Sequence, residues 1–358
     1  MGDVRGLEGR FGLASGRSAG VAVDPLVPGS WVLSIEGVDQ SHVDLGDPGS
    51  LFYDYVRRIG AVIDRIDLPG RPLTVVHLGA GALTLARYVQ ATRPGSEQLV
   101  VEYERGLVDA VLERLPVPAG THLTLREGDA AAVVADLIAP DGSAQDGSAQ
   151  DGSAQDGGAW AGRVDLVVDD LYSGLTTPAH LTTPEWYSAV GGLLGPRGML
   201  VVNVADDDGL PGVRSRLAAI APALPYRLVL GPTSVLTEAQ AGNAVILASR
   251  DPAVLDLADD LRRAGPHPSA VLDAHDLPFP GSAAASHAPM PNDRFPSGDT
   301  GDPCDAATPD DRSPSGETRG PSDATTPTDR SPFGETRGPS DATTSATAPV
   351  TETPTRGR

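Results

Sequence analysis

Two glycines directly after one apolar run carry the first recognisable chemistry in this sequence. The run Leu73 to Leu78 has the length and the branched residues of a strand buried on both faces. Gly79-Ala-Gly81 follows at once, and a helical pattern of apolar residues continues to Tyr88. Small residues between a strand and a helix N-terminus let a phosphate or a nucleoside approach the backbone. The pattern favours such a cradle, although a tight turn in any α/β protein has the same residues.

A carboxylate follows the next apolar run at a spacing that suits ribose binding. Glu102 ends the strand-like segment Gln98 to Val101, about twenty residues after the glycines. Rossmann-like folds place an acidic residue there, because a carboxylate accepts hydrogen bonds from both ribose hydroxyls. Gly79, Gly81 and Glu102 together therefore predict a nucleoside site.

Two more carboxylates end a fourth predicted strand. Asp169-Asp170 follow the apolar segment Arg163 to Val168. Ligands of open α/β sheets bind at the carboxyl ends of the strands, which makes Asp170 a candidate for ligand chemistry. The alternative is that the pair caps a loop. The acidic run Asp206 to Asp208 is interpreted as a solvated loop, because consecutive side chains point apart and no histidine accompanies them, so no metal is expected.

Composition narrows the classes of function. The chain has 358 residues, a net charge of −21, one cysteine and no lysine. Lysine-based Schiff-base and P-loop chemistry is excluded, and a single cysteine gives neither a disulfide framework nor a cysteine metal site. The acidic balance argues against a nucleic-acid partner and favours cationic ligands. We expect no membrane partner and a cytoplasmic location, because no apolar run approaches the ~20 residues of a membrane span and the N-terminus lacks a signal-peptide pattern.

Strand-like and helix-like segments alternate along the chain, which predicts an α/β fold with a doubly wound parallel sheet. Within it, Thr182/Thr183-Pro184-Glu185 predicts the start of a helix, Tyr226 to Leu230 and Ala244 to Ala248 a closing pair of strands, and Asp251 to Ala264 the last helix. Residues 1–20 are interpreted as a flexible leader and residues 21–48 as a small β unit. Residues 49–275 are predicted to form the main domain, interrupted at 141–159 by DGSAQ repeats with the composition of a disordered insertion. Residues 281–358 contain an 18-residue repeat rich in proline and are predicted to be a disordered tail.

The part from about residue 21 to 275 resembles the spermidine synthase (polyamine aminopropyltransferase) family. That family places a small N-terminal β unit before a class I methyltransferase-like, Rossmann-like domain. The resemblance rests on the order of several segments and on no single motif. These segments are Gln40, Phe52 to Tyr55, the glycine turn, Val101-Glu102, Gly128-Asp129-Ala130, Asp165 to Asp170, Leu181 to Tyr187, Gly198 to Asn203 and Gly242 to Ser249.

The resemblance implies a reaction and a role for individual residues. The substrates would be decarboxylated S-adenosylmethionine (or S-adenosylmethionine) and a small-molecule amine, in a homodimeric enzyme of polyamine biosynthesis. Glu102 would bind the ribose and Asp170 would hold and deprotonate the attacking amine. Gly128, Asp129 and Ala130 would contact the adenine, and Gln40, Tyr55 and Ser173 would contact the substrate.

The sequence also departs from the family at the amine-binding positions. The family's glycine motif carries an aspartate that anchors an ammonium group, and Ala82 stands there. A second acidic residue of the family, three positions after Asp170, is replaced by Ser173. Two other hypotheses therefore stay open: an S-adenosylmethionine-dependent methyltransferase, which the glycine turn fits equally well, and a nucleoside-binding pseudoenzyme whose repeat tail is the working part.

Overall fold

A computed structural model describes residues 7–139, 160–172 and 176–277. The predicted insertion at 141–159, the tail at 281–358 and Ser173 lie outside the described residues. The described chain contains two β-sheets, a small antiparallel one near the N-terminus and a larger mixed one. Within the described ranges, the helices are too short or too polar to cross a membrane.

The small sheet is built from four antiparallel strands in sequence order. They are β1 (Gly9–Gly12), β2 (Ser18–Val23), β3 (Ser30–Ile35) and β4 (Val38–Asp44). The prediction of a flexible leader at residues 1–20 is wrong where β1 and the first residues of β2 lie. Leu13 and Ala19 from that segment are buried with Leu33 in one cluster, so the Gly/Arg/Ser-rich composition hid a strand pattern.

The large sheet has the strand order β12-β10-β11-β9-β8-β5-β6-β7. Its strands are β5 (Thr74–Leu78), β6 (Glu97–Glu102), β7 (His122–Glu127), β8 (Val164–Asp169), β9 (Leu194–Asp206), β10 (Tyr226–Pro232), β11 (Gly242–Ser249) and β12 (Ser269–Asp273). Strands β5 to β9 pair in parallel, and β10, β11 and β12 are antiparallel to their neighbours. This is the class I methyltransferase-like arrangement, which confirms the predicted fold class. The predicted closing pair corresponds to β10 and β11, whereas β12 was not predicted.

Helices cover both faces of the large sheet. They are α1 (Asp54–Ile63), α2 (Thr84–Thr92), α3 (Leu107–Arg114), α4 (Ala130–Ile138), α5 (Pro184–Leu193), α6 (Pro211–Ile220), α7 (Thr233–Glu238) and α8 (Ala258–Ala264). Helix α5 begins as the sequence predicts, with Thr183 accepting a hydrogen bond from the amide of Trp186 at 3.2 Å. The last predicted helix is shorter than expected, because a 3₁₀ segment, Pro252–Leu257, precedes α8.

Strand β5 is an uninterrupted apolar run because both faces of the large sheet are covered by hydrophobic cores. Val76 and Leu78 pack on one face of the sheet with α4, α5 and α6, and Val75 packs on the other face with α1. The small sheet packs separately, through Leu33 and Val43, against α3 and the buried Ala82. The N-terminal sheet therefore lies beside the glycine turn that follows β5.

Candidate functional site

A cavity of about 950 Å³ opens at the carboxyl ends of the parallel strands. The small sheet and the start of α1 supply its other walls. It brings together most of the predicted site residues: Gly79, Gly81, Glu102, Gln40, Tyr55 and Asp170. Gly128, Asp129 and Ala130 are not among its lining residues. A cavity at this edge of an open α/β sheet is the expected place for a ligand.

Both glycines of the turn after β5 are required by close approach of other chain segments. Gly79 has φ +92°, and a Cβ built on it would lie 2.6 Å from the carbonyl oxygen of Asp170. Gly81 has φ +48°, and a Cβ there would overlap the hydroxyl of Ser41. That hydroxyl also accepts a hydrogen bond from the amide of Ala82 at 3.0 Å. The turn is therefore shaped by β8 from one side and by β4 from the other.

Glu102 braces the same turn. Its Oε2 accepts a hydrogen bond from the amide of Ala80 at 2.9 Å, and its Oε1 accepts one from the amide of Glu104 at 2.8 Å. Burial raises the pKa of this carboxyl group, and the backbone hydrogen bonds oppose the rise. Each carboxylate oxygen retains a further lone pair for a ligand in the cavity. Glu102 can thus hold the turn and accept from a hydroxyl at once.

Glu104 and Arg17 extend this wall of the cavity, and sequence reasoning missed both. The buried carboxylate of Glu104 accepts from the amide of Ser15 and from Nη2 of Arg17, each at 2.9 Å. These contacts tie the loop between β1 and β2 to the segment after β6. Both residues line the cavity beside Glu102. A polar residue two positions after Glu102 is too common a pattern to identify the contact from the sequence.

Asp170 lies directly after β8 and is held by two side chains from distant elements. Its Oδ1 accepts a hydrogen bond from Nδ2 of Asn203 at 2.8 Å, and its Oδ2 accepts one from the hydroxyl of Tyr55 at 3.3 Å. Burial raises the pKa of the Asp170 carboxyl group, and the two hydrogen bonds lower it again in part. The backbone amide of Asp170 donates to the carbonyl of Leu78 at 3.0 Å, which continues the pairing of β8 with β5.

Asn203, Asn243 and Tyr172 were not predicted as site residues. Asn203 is almost fully buried on β9, and its Oδ1 accepts from Nδ2 of Asn243 on β11 at 3.0 Å. The hydroxyl of Tyr172 donates to the backbone carbonyl of Asn203 at 3.1 Å and accepts from the amide of Ala205 at 2.7 Å. An asparagine inside the apolar run of β9 is the sequence signal that could have pointed to this network.

Asp169 faces away from the cavity, so the neighbouring carboxylates have separate surroundings. Asp169 is 2% exposed, and its Oδ2 accepts a hydrogen bond from Nε1 of Trp186 at 3.3 Å. Burial raises its pKa to about 7, although the Trp186 hydrogen bond and the charge of Arg216 oppose the shift. Of these two neighbouring carboxylates, only Asp170 lines the cavity.

The Gly128-Asp129-Ala130 segment has a local structural role. Asp129 is the N-cap of α4 and accepts from the amides of Ala131 at 3.0 Å and Ala132 at 3.3 Å. Its other oxygen contacts the exposed His180 at 2.8 Å. Contact of this segment with an adenine remains a prediction.

The substrate-binding predictions fall on two different walls. Tyr55 reaches Asp170 from α1, and its ring lies parallel to that of Tyr53 with 6.3 Å between ring centres. Gln40 lines the cavity from β4, and its amide donates to the carbonyl of Val38 at 3.4 Å. His77 is buried, its Nε2 lies 2.9 Å from Oε1 of Gln98, and burial lowers its pKa to about 4.

The charge of the cavity wall is predominantly negative. Six carboxylate residues line it, namely Glu36, Asp39, Asp54, Glu102, Glu104 and Asp170. The cationic lining residues are Arg17, which pairs with Glu104, and Arg58, whose guanidinium donates to the hydroxyl of Ser269 and the carbonyl of Pro266. Ala82 is fully buried and does not line the cavity. The described residues contain no group of three side chains suited to a metal ion.

Comparison with solved structures finds similarity to proteins described as spermidine synthases and as a methyltransferase. A structure described as a probable spermidine synthase from Corynebacterium glutamicum is 26% identical, with a TM-score of 0.61, over 74% of this chain and 90% of that chain. A spermidine synthase in complex with the transition-state analogue AdoDATO is 14% identical, with a TM-score of 0.46, over 71% of this chain and 78% of that chain. Human methyltransferase-like protein 13 in complex with SAH is 17% identical, with a TM-score of 0.42, over 59% of this chain and 90% of that chain. No family model matches the sequence, and no curated protein matches it.

Proposed function

We propose that this chain is an aminopropyltransferase that moves the aminopropyl group of decarboxylated S-adenosylmethionine to a small amine. One observation carries the proposal: Asp170, held by Tyr55 and Asn203, faces the same cavity as Glu102 and the glycine turn. A nucleoside-binding wall and a general-base candidate therefore share one space. The 26% identity to a probable spermidine synthase over most of both chains supports the same interpretation.

The nucleoside half of the proposed site is the turn after β5. Gly79 and Gly81 let the turn pack closely against Asp170 and Ser41 in the cavity wall. Glu102 offers acceptor lone pairs to the two ribose hydroxyls. Removing charge from that acceptor would weaken binding by roughly 1–3 kcal/mol. The sulfonium of the cosubstrate is a cation, which the carboxylates of the wall favour.

The amine half requires a base, because a protonated amine has no lone pair for attack. Asp170 would accept that proton, and the freed nitrogen would attack the aminopropyl carbon bonded to sulfur. The new N–C bond forms as the C–S bond breaks, and the electron pair of the broken bond stays on sulfur as a neutral thioether. The leaving group needs no proton, so one base suffices. Alignment of nitrogen, carbon and sulfur would supply much of the rate.

A second candidate, an S-adenosylmethionine-dependent methyltransferase, is favoured by one specific observation. Ala82 is buried and offers no carboxylate to an aminopropyl ammonium group. A cosubstrate that keeps its own carboxylate would then be bound as readily as the decarboxylated one. The two candidates thus differ in which cosubstrate the cavity prefers.

Calorimetry with S-adenosylmethionine, its decarboxylated form and methylthioadenosine separates the candidates. We expect tighter binding of the decarboxylated form, followed by aminopropyl transfer to putrescine in a product assay. Equal binding of the two cosubstrates together with methyl transfer would establish the methyltransferase. Binding without turnover for a panel of amines would leave a nucleoside-binding protein.

A further inference from the structure

Asn203 and Asn243 are brought together by the register of two antiparallel strands. Asn203 of β9 lies opposite Val245 of β11, and Asn243 is two residues before Val245. Residues two apart on a strand share one face, so Asn243 is the diagonal neighbour of Asn203. The Nδ2–Oδ1 distance of 3.0 Å between them follows from this register.

The two asparagines form a chain of hydrogen bonds in which Asn243 donates to Asn203 and Asn203 donates to Asp170. An ionised carboxylate only accepts, so Asn203 must present its Nδ2 to Asp170. Its Oδ1 then points the other way, and a donor must meet it because Asn203 is buried. Nδ2 of Asn243 is that donor. If the Asn203 amide turned over, an oxygen would face the carboxylate, and a nitrogen would face the nitrogen of Asn243 as long as that amide kept its orientation.

We propose that Asn243 is a positioning residue that fixes the amide orientation of Asn203 and thereby keeps a hydrogen-bond donor on the carboxylate of Asp170. The inference rests on the proposed function for its catalytic meaning, because only a base at Asp170 makes the donor matter for rate. The arrangement itself depends on the strand register alone. Asn243 acts through Asn203, because it is the Asn203 amide that contacts Asp170.

Other titratable groups around Asp170 must stay constant in a test. Among the described residues, these are Tyr55 from α1, Tyr172 after β8, and Asp169 on the opposite face of β8. Substitutions at positions 203 and 243 leave all three in place. Replacement of either asparagine by alanine introduces no charge, so a change in the pKa of Asp170 would report the hydrogen-bond chain.

The test is a double-mutant cycle read by carboxyl ¹³C NMR, with the Asp170 signal assigned through Asp170→Asn. Asn203→Ala should raise the pKa of Asp170 by about one unit, the amount expected for one lost hydrogen bond to a charged group. Asn243→Ala should raise it by about half a unit, because the Asn203 amide is then held from one side only. In the Asn203→Ala background, Asn243→Ala should add nothing. Gln240→Ala, in the loop before β11 and outside the cavity lining, is the control and should leave the pKa unchanged.

Two results would overturn the inference. One is that the pKa of Asp170 in Asn243→Ala equals that of the native chain. The other is that Asn243→Ala shifts the pKa of Asp170 by the same amount in the native chain and in the Asn203→Ala variant. Because the NMR titration needs no turnover, it decides the question even if aminopropyl transfer is never detected. If the pKa shifts are non-additive as expected but no aminopropyl transfer is detected, the proposed function is refuted and the positioning role of Asn243 stands. If the enzyme is active, the acid limb of its pH–rate profile should move to higher pH, further in Asn203→Ala than in Asn243→Ala.

Discussion

The hydroxyl of Ser41 in the small sheet fills the space that a side chain on Gly81 would need. The same oxygen accepts the amide hydrogen of Ala82, directly after the glycine turn. A residue of the N-terminal β unit thus sets the shape of a turn that belongs to the large sheet. The nucleoside site we propose is therefore a product of both sheets.

Gly81→Ala should lower the free energy of unfolding by about 2–3 kcal/mol, because alanine is strained at positive φ and displaces Ser41. Gly70→Ala is the matched control: Gly70 has φ +78° and open space around it, so only the strain of about 1 kcal/mol remains. Urea unfolding measures both, and Ser41→Ala should recover part of the loss in the Gly81→Ala background. Equal costs at positions 70 and 81 would show that Ser41 does not shape the turn.

Glu102→Gln should weaken binding of methylthioadenosine by roughly 1–3 kcal/mol, since a charged acceptor becomes neutral. The melting temperature should also fall, because the new NH₂ group cannot accept from the amide of Ala80 or Glu104. Glu97→Gln, an exposed change at the other end of β6, is the control for both measurements. Unchanged affinity in calorimetry of Glu102→Gln would mean that the nucleoside site lies elsewhere.

Asp170→Asn should leave nucleoside affinity intact while aminopropyl transfer falls by ~10²–10⁴-fold, as expected when a general base is lost. Tyr55→Phe is the matched variant, because it removes one hydrogen bond and keeps the base. That bond lowers the pKa of Asp170, so its loss should move the acid limb of the pH–rate profile to higher pH. The measurement is aminopropyl transfer to putrescine. If Asp170→Asn transfers at the rate of the native chain, Asp170 is not the general base.

Asp169→Asn should change how stability depends on pH. Burial raises the pKa of Asp169 from 3.8 to about 7, so its folded form favours the protonated state. The stabilisation from that proton is complete below the unfolded value near 4 and is lost as the pH rises to about 7. Relative to the native chain, the variant should therefore gain up to about 4 kcal/mol of unfolding free energy across this window.

Urea unfolding at pH 4, 5.5 and 7, followed by tryptophan fluorescence, measures that gain. Asp207→Asn removes an exposed carboxylate and serves as the charge control. If Asp169→Asn and Asp207→Asn show the same pH dependence, the Asp169 carboxylate does not carry the proton we assign to it. Activity is not needed for this measurement.

Local patterns were enough to predict much of the fold and part of the site. The apolar run before Gly79 and the spacing to Glu102 describe contacts within one βαβ unit, and the structure places those residues in one cavity. Thr183 and Pro184 likewise marked the start of α5, because helix caps are local chemistry. The homodimer and the cytoplasmic location remain predictions.

Contacts between distant segments could not be predicted in the same way. Ser41 meets Ala82 across 41 positions, and Asn203 meets Asn243 across 40, so only the packed sheets bring them together. Asp129 illustrates a different limit, because a Gly-Asp pattern is compatible with two roles. It can mark a ligand contact or a helix cap, and the structure contains the helix cap. The strand at Gly9–Gly12 was hidden because glycine and arginine mask its alternation.

The contact between Gly79 and the carbonyl of Asp170 has a consequence for motion. Two strand ends meet there backbone to backbone, with no intervening side chain that could change rotamer. The glycine turn, where we propose that the nucleoside binds, and the backbone of Asp170, the proposed base, are consequently in direct contact. Binding one substrate need not order the groups that receive the other, so this part of the site is preorganised at little entropic cost. A hinge between the two halves of the cavity would have to break this contact.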